Sequence, residues 1–479
     1  MNVIIIVVDA LRASDVGCYG RKENTTPNID DLAADSFVFE NAFSQSNYTD
    51  VCLSSIFSGK APREHGVTHH GTAHTEENLK RLQQQNTKFL PEFLSDEGFE
   101  TIGMDWMGRW HQWGYDEYGI KSTKNESKNI SADDLLDKFK DLAMELPDPI
   151  YKYVATKYWQ RTGISDSIIN CEDLTDLSIK KIEKTTEPFF MFMHYWDVHP
   201  PYLPPKEYED KFTYDGRNKH LSSYFNPDAK GPRSAEYKAY ATGKHQTVAD
   251  SKIAYDGALA WVDEQIGRMY DTLEKEGIAD ETMLIITADH GHNFGEHNIF
   301  SDNCSLYDTS IHIPLIIDDP TQPGKRIDRL VQHTDLLPTV LDFADIEIPD
   351  DIRGGSLPET EREYVFSEAI EHRMRTIRTK EWKLIVPEKT EYLQQQYWYD
   401  GNGVVELYDI QNDPDESRNV ASENRDVVRI LTRKLEEELN EQEQATDPSQ
   451  NRSRSIDETD MKEIKSNLHA LGYADDDNV

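Results

Sequence analysis

Residues 2–12 read NVIIIVVDALR, and residues 286–297 read ITADHGHNFGEH. Each is an apolar run that stops at an acidic residue: Val3–Val8 runs into Asp9, and the second run ends in the pair Asp289–His290. A short continuous run of branched apolar side chains predicts a strand buried on both faces, as in a parallel sheet. In open sheets of that kind, ligands bind beyond the carboxyl ends of the strands. A carboxylate at one strand end and an Asp-His pair at another therefore predict a metal site assembled by folding. Hard oxygen donors with one imidazole suit a divalent cation that activates a nucleophile and neutralises an anionic ester.

Outward from these two strands, runs at Thr101–Asp105, Pro188–His194 and His312–Ile317 alternate with helical segments up to about residue 345. That alternation predicts an α/β domain with a mostly parallel central sheet. Between Ala249 and Glu276, the residues Ile253, Leu259, Val262, Ile266, Met269 and Leu273 mark one apolar face of a long helix, closed by Gly277. The segment 118–186 is charge-rich without strand signals and reads as a helical insertion, with Tyr151, Tyr153, Tyr158 and Trp159 as lid or packing residues. After residues 349–351 the texture changes to short runs, REYVFSEA, MRTIRT, EWKLIV and VVELYD. These predict a small antiparallel sheet, followed by helices over 423–442 and 460–471 with a polar linker at 447–455. The expected division is a catalytic domain over 1–348 and a C-terminal subdomain over 349–479.

The chain has 479 residues, of which 89 are acidic and 51 basic, for a formal net charge of −38. Such a charge argues against nucleic acid as a partner. It would also repel an anionic substrate unless a cation reverses the local potential, so the acidity strengthens the case for a metal. An acidic surface of this kind is also expected of a halophilic protein. Cys18, Cys52, Cys171 and Cys304 lack any C-x-x-C spacing, which predicts free thiols in a reducing compartment. The opening apolar run has no basic lead-in, and nothing later approaches the ~20 apolar residues of a membrane span. A soluble cytoplasmic protein is the expectation.

Unpaired N–H groups at the start of a helix favour added negative charge, so a nucleophile for an anionic ester belongs there. Residues 46–59, SNYTDVCLSSIFSG, fit: Asn47, Thr49 and Asp50 are cap-type residues ahead of a short apolar run that stops at Gly59.

The ordered motifs IVVDALR, TTPNIDDLA, FENAFSQ, FSGKAPREHGV, GYDEY, HYWDVHPPY, TADHG with GEH, SLYD with IHIPLII, HTDLLPTVLD, ELYDIQNDP and HALGY resemble the sulfatase family of the alkaline phosphatase superfamily. The resemblance runs nearly end to end and implies an alkaline-phosphatase-like α/β/α sandwich. It departs at the nucleophile. Family sulfatases convert the first residue of C/S-x-P-S-R to formylglycine, ten positions before the helix-ending glycine, and ten before Gly59 is Thr49. Cys52, in CLSSI, has Ile56 where the motif has arginine, so its conversion is disfavoured; a site without a covalent nucleophile is the remaining alternative. Threonine here is similar to the phosphodiesterase, nucleotide pyrophosphatase and lipoteichoic-acid synthase branches.

By that resemblance, Asp9, Thr49, Asp289 and His290 bind the cation, calcium or magnesium first, with manganese or zinc also admitted. His199 or His194, in HYWDVHPPY, protonates the leaving alcohol. Lys60 and His70 contact substrate oxygens, the alternative for Lys60 being a surface lysine. His65 holds a turn. The family's GKWH lysine has no counterpart, and Arg109 in GRWH is its expected substitute; the lysine after GEHG is also absent, with Asp302 and Asn303 in its place. A second cation on Asp197, His199 and His333 has suitable order but poor spacing. The expected substrate is a small sulfate or phosphate ester, including a sulfated or phosphorylated sugar. The alternatives are a phosphodiesterase, phosphonate monoester hydrolase or headgroup transferase, and a non-catalytic binding protein.

Overall fold

The computed structural model describes residues 1–71, 75–120, 169–185, 188–216, 218–224, 239–240, 243–300, 305–369, 374–387 and 405–445. The opening run forms β1 (Asn2–Val8), every residue of it buried. Its two-sided apolarity follows from its place. It pairs in parallel with β5 (Phe189–Tyr195) on one side and β6 (Thr282–Thr287) on the other. Beyond β5 lie β3 (Glu100–Met104) and the short edge strand β4 (Glu117–Tyr118), both parallel.

On the other side of β6 the sheet turns antiparallel at β8 (Leu315–Asp318), continues to β2 (Phe37–Phe43), and adds β9 (Arg326–Gln332) parallel to β2. The strand expected over 312–317 is split into β7 (His312–Ile313) and β8, because Pro314 between them has no N–H for the ladder. The result is a nine-stranded, mostly parallel sheet.

Helices cover both faces. Phe57, on the helix Thr49–Ser58, meets Phe192 of β5 edge-on at 4.8 Å, while Thr175, on the helix Cys171–Ile182, hydrogen-bonds the Tyr195 hydroxyl at 2.6 Å. Positions an odd number apart on a strand face opposite sides, so these two helices flank the sheet. The long helix expected from 249 starts at Val248. Thr247 caps it, accepting from Asp250 N at 3.2 Å while the Asp250 carboxylate accepts from Thr247 N at 2.8 Å. It ends at Gly277, whose φ of 73° is the left-handed geometry glycine adopts freely.

A second sheet of four antiparallel strands, β10 (Val365–Ala369), β11 (Met374–Arg378), β12 (Trp382–Pro387) and β13 (Glu406–Asp409), matches the four short runs at the end of the chain. The helix Arg425–Ala445 packs on it through Leu431 and Leu435, against Phe366, Ile377, Leu384 and Leu407. The proposed division at residue 348 falls between β9 and β10. Most of the expected insertion with its aromatic residues, and Asp302, Asn303, Cys304, the polar linker and the terminal helix, lie outside the described residues. Among the described residues, no helix is long and apolar enough to cross a membrane.

Candidate active site

Strand register brings the distant acidic residues to one level. Val7 pairs with His194 on one side and Thr287 on the other, so Asp9, His194 and Asp289 emerge together at the carboxyl ends of β1, β5 and β6. Asp9 N donates to Tyr195 O at 2.9 Å, and the next residue, Ala10, takes a left-handed φ of 60°. That turn lets Ala10 N donate to Asp289 Oδ1 at 3.1 Å, and His290 N donates to the same oxygen at 2.8 Å. Both carboxylates are fully buried. Neither oxygen of Asp9 has a hydrogen-bond partner among the described residues.

Burial, then the charges of Asp289 and Asp105, push the Asp9 carboxyl well above the usual carboxylate range. Asp289 goes the other way. Burial opposes its ionisation, but His290, His194 and the Thr49 hydroxyl together hold its carboxyl below the usual range. The His290 Nδ1 lies 2.9 Å from Gly291 O, which fixes the proton on Nδ1 and leaves Nε2 as an acceptor. This Nε2 faces Asp289 Oδ2 at 3.3 Å and Asp9 Oδ1 at 3.8 Å. Acceptors turned toward one another in a buried site fit a bound cation, which would satisfy all of them.

Thr49 opens the expected helix, Thr49–Ser58, which ends at Gly59 with φ 64°. Its hydroxyl lies 3.3 Å from His290 Nε2, at the first turn of that helix, where backbone N–H groups have no partner within the helix. Cys52, one turn on, is also fully buried, but its thiol donates to Ser46 O at 3.2 Å. Burial and then the Asp289 charge push that thiol well above its ordinary pKa, so it stays neutral.

The two candidate acids occupy different environments. A ring nitrogen of His194 groups with the Asp9 and Asp289 carboxylates, all within 4.8 Å of one another, and this is the one group of metal-capable side chains among the described residues. Its Nδ1 lies 3.2 Å from Asp105 Oδ1. His199 is half-buried, with Nδ1 2.7 Å from Pro200 O. Burial first, then His290, lower its pKa to about 4.

Two of the expected substrate-contacting residues, Arg109 and His70, meet at Asp50. Arg109 donates to it from both terminal nitrogens, Nη1 at 2.8 Å to Oδ2 and Nη2 to Oδ1. His111 Nε2 lies 3.1 Å from Oδ1, His70 Nδ1 3.0 Å from Oδ2, and Gly71 N donates to Oδ2 at 3.0 Å. His70 also stacks on Tyr48, with ring planes 3° apart. Lys60 pairs with Asp351. His65 accepts from Val67 N at 3.0 Å and so holds its turn. In the second cation grouping, Asp197 is hydrogen-bonded by the Cys171 thiol, and His333 Nε2 donates to Ala288 O at 3.0 Å.

Sequence reading did not single out Asp105, Tyr118 or His111, and took Asp50 only as a cap. The sign of Asp105 was its position at the end of a predicted strand, the same sign that marked Asp9.

The Sulfatase family model matches residues 1–346, and the model of the N-sulphoglucosamine sulphohydrolase C-terminal region matches 295–445. Over 474 residues the chain is 25% identical to an arylsulfatase of Clostridium perfringens, covering 92% of this chain and 95% of that one. It is 24% identical to an N-acetylglucosamine-6-O-sulfatase of Bacteroides thetaiotaomicron, covering 94% and 88%. Among solved structures, a protein in complex with its substrate D-glucosamine-2-N,6-O-disulfate shares the fold with a TM-score of 0.65 at 21% identity, covering 94% and 99%. The phosphonate monoester hydrolase of Agrobacterium radiobacter shares it with a TM-score of 0.63 at 18% identity, covering 93% and 96%. With its nine-stranded sheet, helices on both faces and a small antiparallel sheet behind, the chain belongs to the sulfatase family of ester hydrolases, with the alkaline-phosphatase-like fold.

Proposed function

We propose that this protein is a metal-dependent hydrolase of a small sulfate ester, carried on a sugar, with Thr49 as nucleophile. The observation that carries the reading is the 3.3 Å approach of the Thr49 hydroxyl to His290 Nε2, at a helix N-terminus and beside two buried carboxylates. Family membership supports the reaction class, and the named sugar sulfatases among the relatives support the leaving group.

Asp9, Asp289 and His290, with the Thr49 oxygen, would hold the cation. When bound, a divalent cation neutralises the anionic ester and favours the alkoxide form of an adjacent hydroxyl. The chain's own groups do the rest. Asp289, held ionised and hydrogen-bonded by the Thr49 hydroxyl, is placed to take its proton, while His290 keeps its Nε2 lone pair for the cation. The Thr49 oxygen then attacks sulfur in line, the S–O bond to the leaving alcohol breaks, and a sulfo-threonine remains. His199 at the half-buried rim is neutral at pH 7, with its Nδ1 proton held by Pro200 O. An arriving anion raises its basicity, so that it binds a second proton and passes it to the leaving oxygen. Water then attacks sulfur, which returns Thr49 and releases sulfate.

Threonine in place of a formylglycine-forming residue favours a second reading, hydrolysis of a phosphate or phosphonate monoester by the same steps at phosphorus. A formylglycine hydrate expels sulfate by re-forming its aldehyde, whereas a threonine ester must be cleaved by water. The test compares turnover of an aryl sulfate, an aryl phosphate, a phosphonate monoester and a phosphodiester, with mass spectrometry of acid-quenched protein. A sulfo adduct on Thr49, lost in Thr49→Ala and kept in Cys52→Ala, is expected; a phospho adduct selects the second reading. An aldehyde at Cys52 overturns both.

A further inference from the structure

His194 is held by a chain of hydrogen bonds that begins two strands away. Gly108 N donates to the Tyr118 hydroxyl at 3.2 Å, and that hydroxyl donates to Asp105 Oδ2 at 2.6 Å. Asp105 Oδ1 in turn faces His194 Nδ1 at 3.2 Å. Asp105 is fully buried, with Oδ2 taken by the Tyr118 hydroxyl and Oδ1 left to the His194 ring. A carboxylate oxygen accepts a hydrogen bond from the ring N–H, so Nδ1 carries the hydrogen and Nε2 carries a lone pair. The ring itself is wedged between Trp196, 4.6 Å away, and Phe192, 5.7 Å away. His194 is fully buried, and its Nε2 has no hydrogen-bond partner among the described residues.

A buried lone pair with no donor is costly unless something positive meets it. One ring nitrogen lies within 4.8 Å of oxygens of both Asp9 and Asp289, and Nδ1 is already engaged by Asp105, which leaves Nε2 for that cluster. A carboxylate that donates order to a histidine, whose other nitrogen faces a cluster of acidic oxygens, is the arrangement that fixes tautomer and orientation in metal-bound histidines. The same pair also disfavours His194 as the acid for the leaving group, because the nitrogen facing the site carries no proton to give.

We propose that His194 is a ligand of the active-site cation, with Asp105 and Tyr118 as its positioning residues, and that the site therefore selects the borderline dication zinc over the hard ions calcium and magnesium. The inference rests on the metal-dependent reading above and deepens it. Two imidazoles, His194 and His290, join two carboxylates, Asp9 and Asp289, and the Thr49 hydroxyl. Calcium and magnesium take oxygen ligands almost exclusively, whereas imidazole suits zinc and its first-row neighbours. Each imidazole that replaces an oxygen donor therefore moves the preference away from the hard ions.

The test is calorimetric titration of the metal-stripped full chain with Zn²⁺, Mn²⁺, Ca²⁺ and Mg²⁺, for wild type, His194→Asn and Asp105→Asn. Wild type is expected to take up one zinc ion more tightly than calcium. Asp105→Asn should weaken zinc binding by about 10- to 100-fold, the usual effect of losing such a partner, and change calcium binding by much less. His194→Asn should weaken zinc at least as much. In protein loaded with Co²⁺, both variants should alter the visible d–d absorption, a readout that loss of packing alone does not move. Circular dichroism of the stripped variants checks that they fold. Calcium bound more tightly than zinc by wild type, or zinc affinity and cobalt spectrum unchanged in His194→Asn, overturns the assignment while leaving a metal-dependent site. Failure of wild type to bind any of the four ions overturns that site as well.

Discussion

Asp50 and Arg109 form a closed pair at the start of the helix Thr49–Ser58: Nη1 lies 2.8 Å from Oδ2, Nη2 bonds Oδ1, and both side chains are fully buried. Asp50 is the residue after Thr49, so what fixes its carboxylate also fixes the turn that carries the candidate nucleophile. Burial works against its charge, but Arg109 and His70 more than offset it and hold the carboxyl well below the usual range.

Arg109→Met leaves that buried charge without its main partner, which is expected to cost about 3–5 kcal/mol of stability. Replacing both partners, in Asp50→Leu with Arg109→Met, removes the stranded charge and should recover part of the loss. Urea unfolding of the two variants against wild type measures this. Equal stability of Arg109→Met and wild type would show that the pair does not hold the helix.

His65 sets a pH dependence apart from the catalytic groups. It is fully buried, accepts from Val67 N at Nδ1 and so presents Nε2–H to the Ser55 hydroxyl 3.0 Å away, which requires the neutral ring. Burial, then Lys60 and His111, lower its pKa to about 3. The unfolded ring, with a pKa of about 6.5, binds a proton first as pH falls. The stabilisation is therefore complete above about pH 6.5 and is lost as pH drops toward 3, a change of about 2 kcal/mol between pH 7 and pH 5. Denaturant midpoints across that window should fall for wild type and fall less steeply for His65→Gln.

How much of this was legible in the sequence depends on how local the cause is. β1, β5 and β6 announce themselves because a strand buried on both faces must be apolar at every position. β2, with FVFENAF, and β9, with RIDRLVQ, escaped notice because their polar residues break the run. At the site, Asp9 and the Asp289–His290 pair were visible as carboxylates at strand ends. Asp50 was not, since an aspartate in a first helical turn looks like an ordinary cap until Arg109, His111 and His70 arrive from elsewhere in the chain. His194 as a partner of Asp105 needs β3 to lie beside β5, and sheet order is not written in either strand.

Removal of bound metal is expected to destabilise the protein as well as silence it. Without a cation, the buried Asp9 and Asp289 carboxylates face each other with only His290 and His194 between, and Asp9 lacks any donor among the described residues. A cation at 100 times its dissociation constant adds about 2.7 kcal/mol. Chelation should therefore lower the melting temperature of wild type, and scanning calorimetry with and without a chelator tests it. Asp9→Asn, which removes one of the like charges, should melt at or above stripped wild type and no longer respond to the chelator. An identical chelator response in Asp9→Asn would count against Asp9 as a ligand.

The four-stranded C-terminal sheet is tied to Asp308, ahead of it in the chain, by a second buried charge cluster. Lys383 of β12 is fully buried, and its Nζ lies 2.7 Å from both Asp308 Oδ1 and Glu416 Oε1. Arg378 of β11 also pairs with Asp308, 3.2 Å away, and Asp308 N donates to Glu416 Oε2 at 2.6 Å. Burial raises the Glu416 carboxyl to about 7 even with Lys383 beside it. Lys383→Met strands two carboxylates against one arginine, at an expected cost of about 3–5 kcal/mol. Because Glu416 escapes by binding a proton, the loss should be larger at pH 8 than at pH 6. Adding Glu416→Gln should restore part of the stability and remove that pH dependence. Urea unfolding at both pH values, with limited proteolysis of the region after residue 348, gives the comparison. A Lys383→Met protein as stable and as protease-resistant as wild type at pH 8 would mean that apolar contacts alone dock the second sheet.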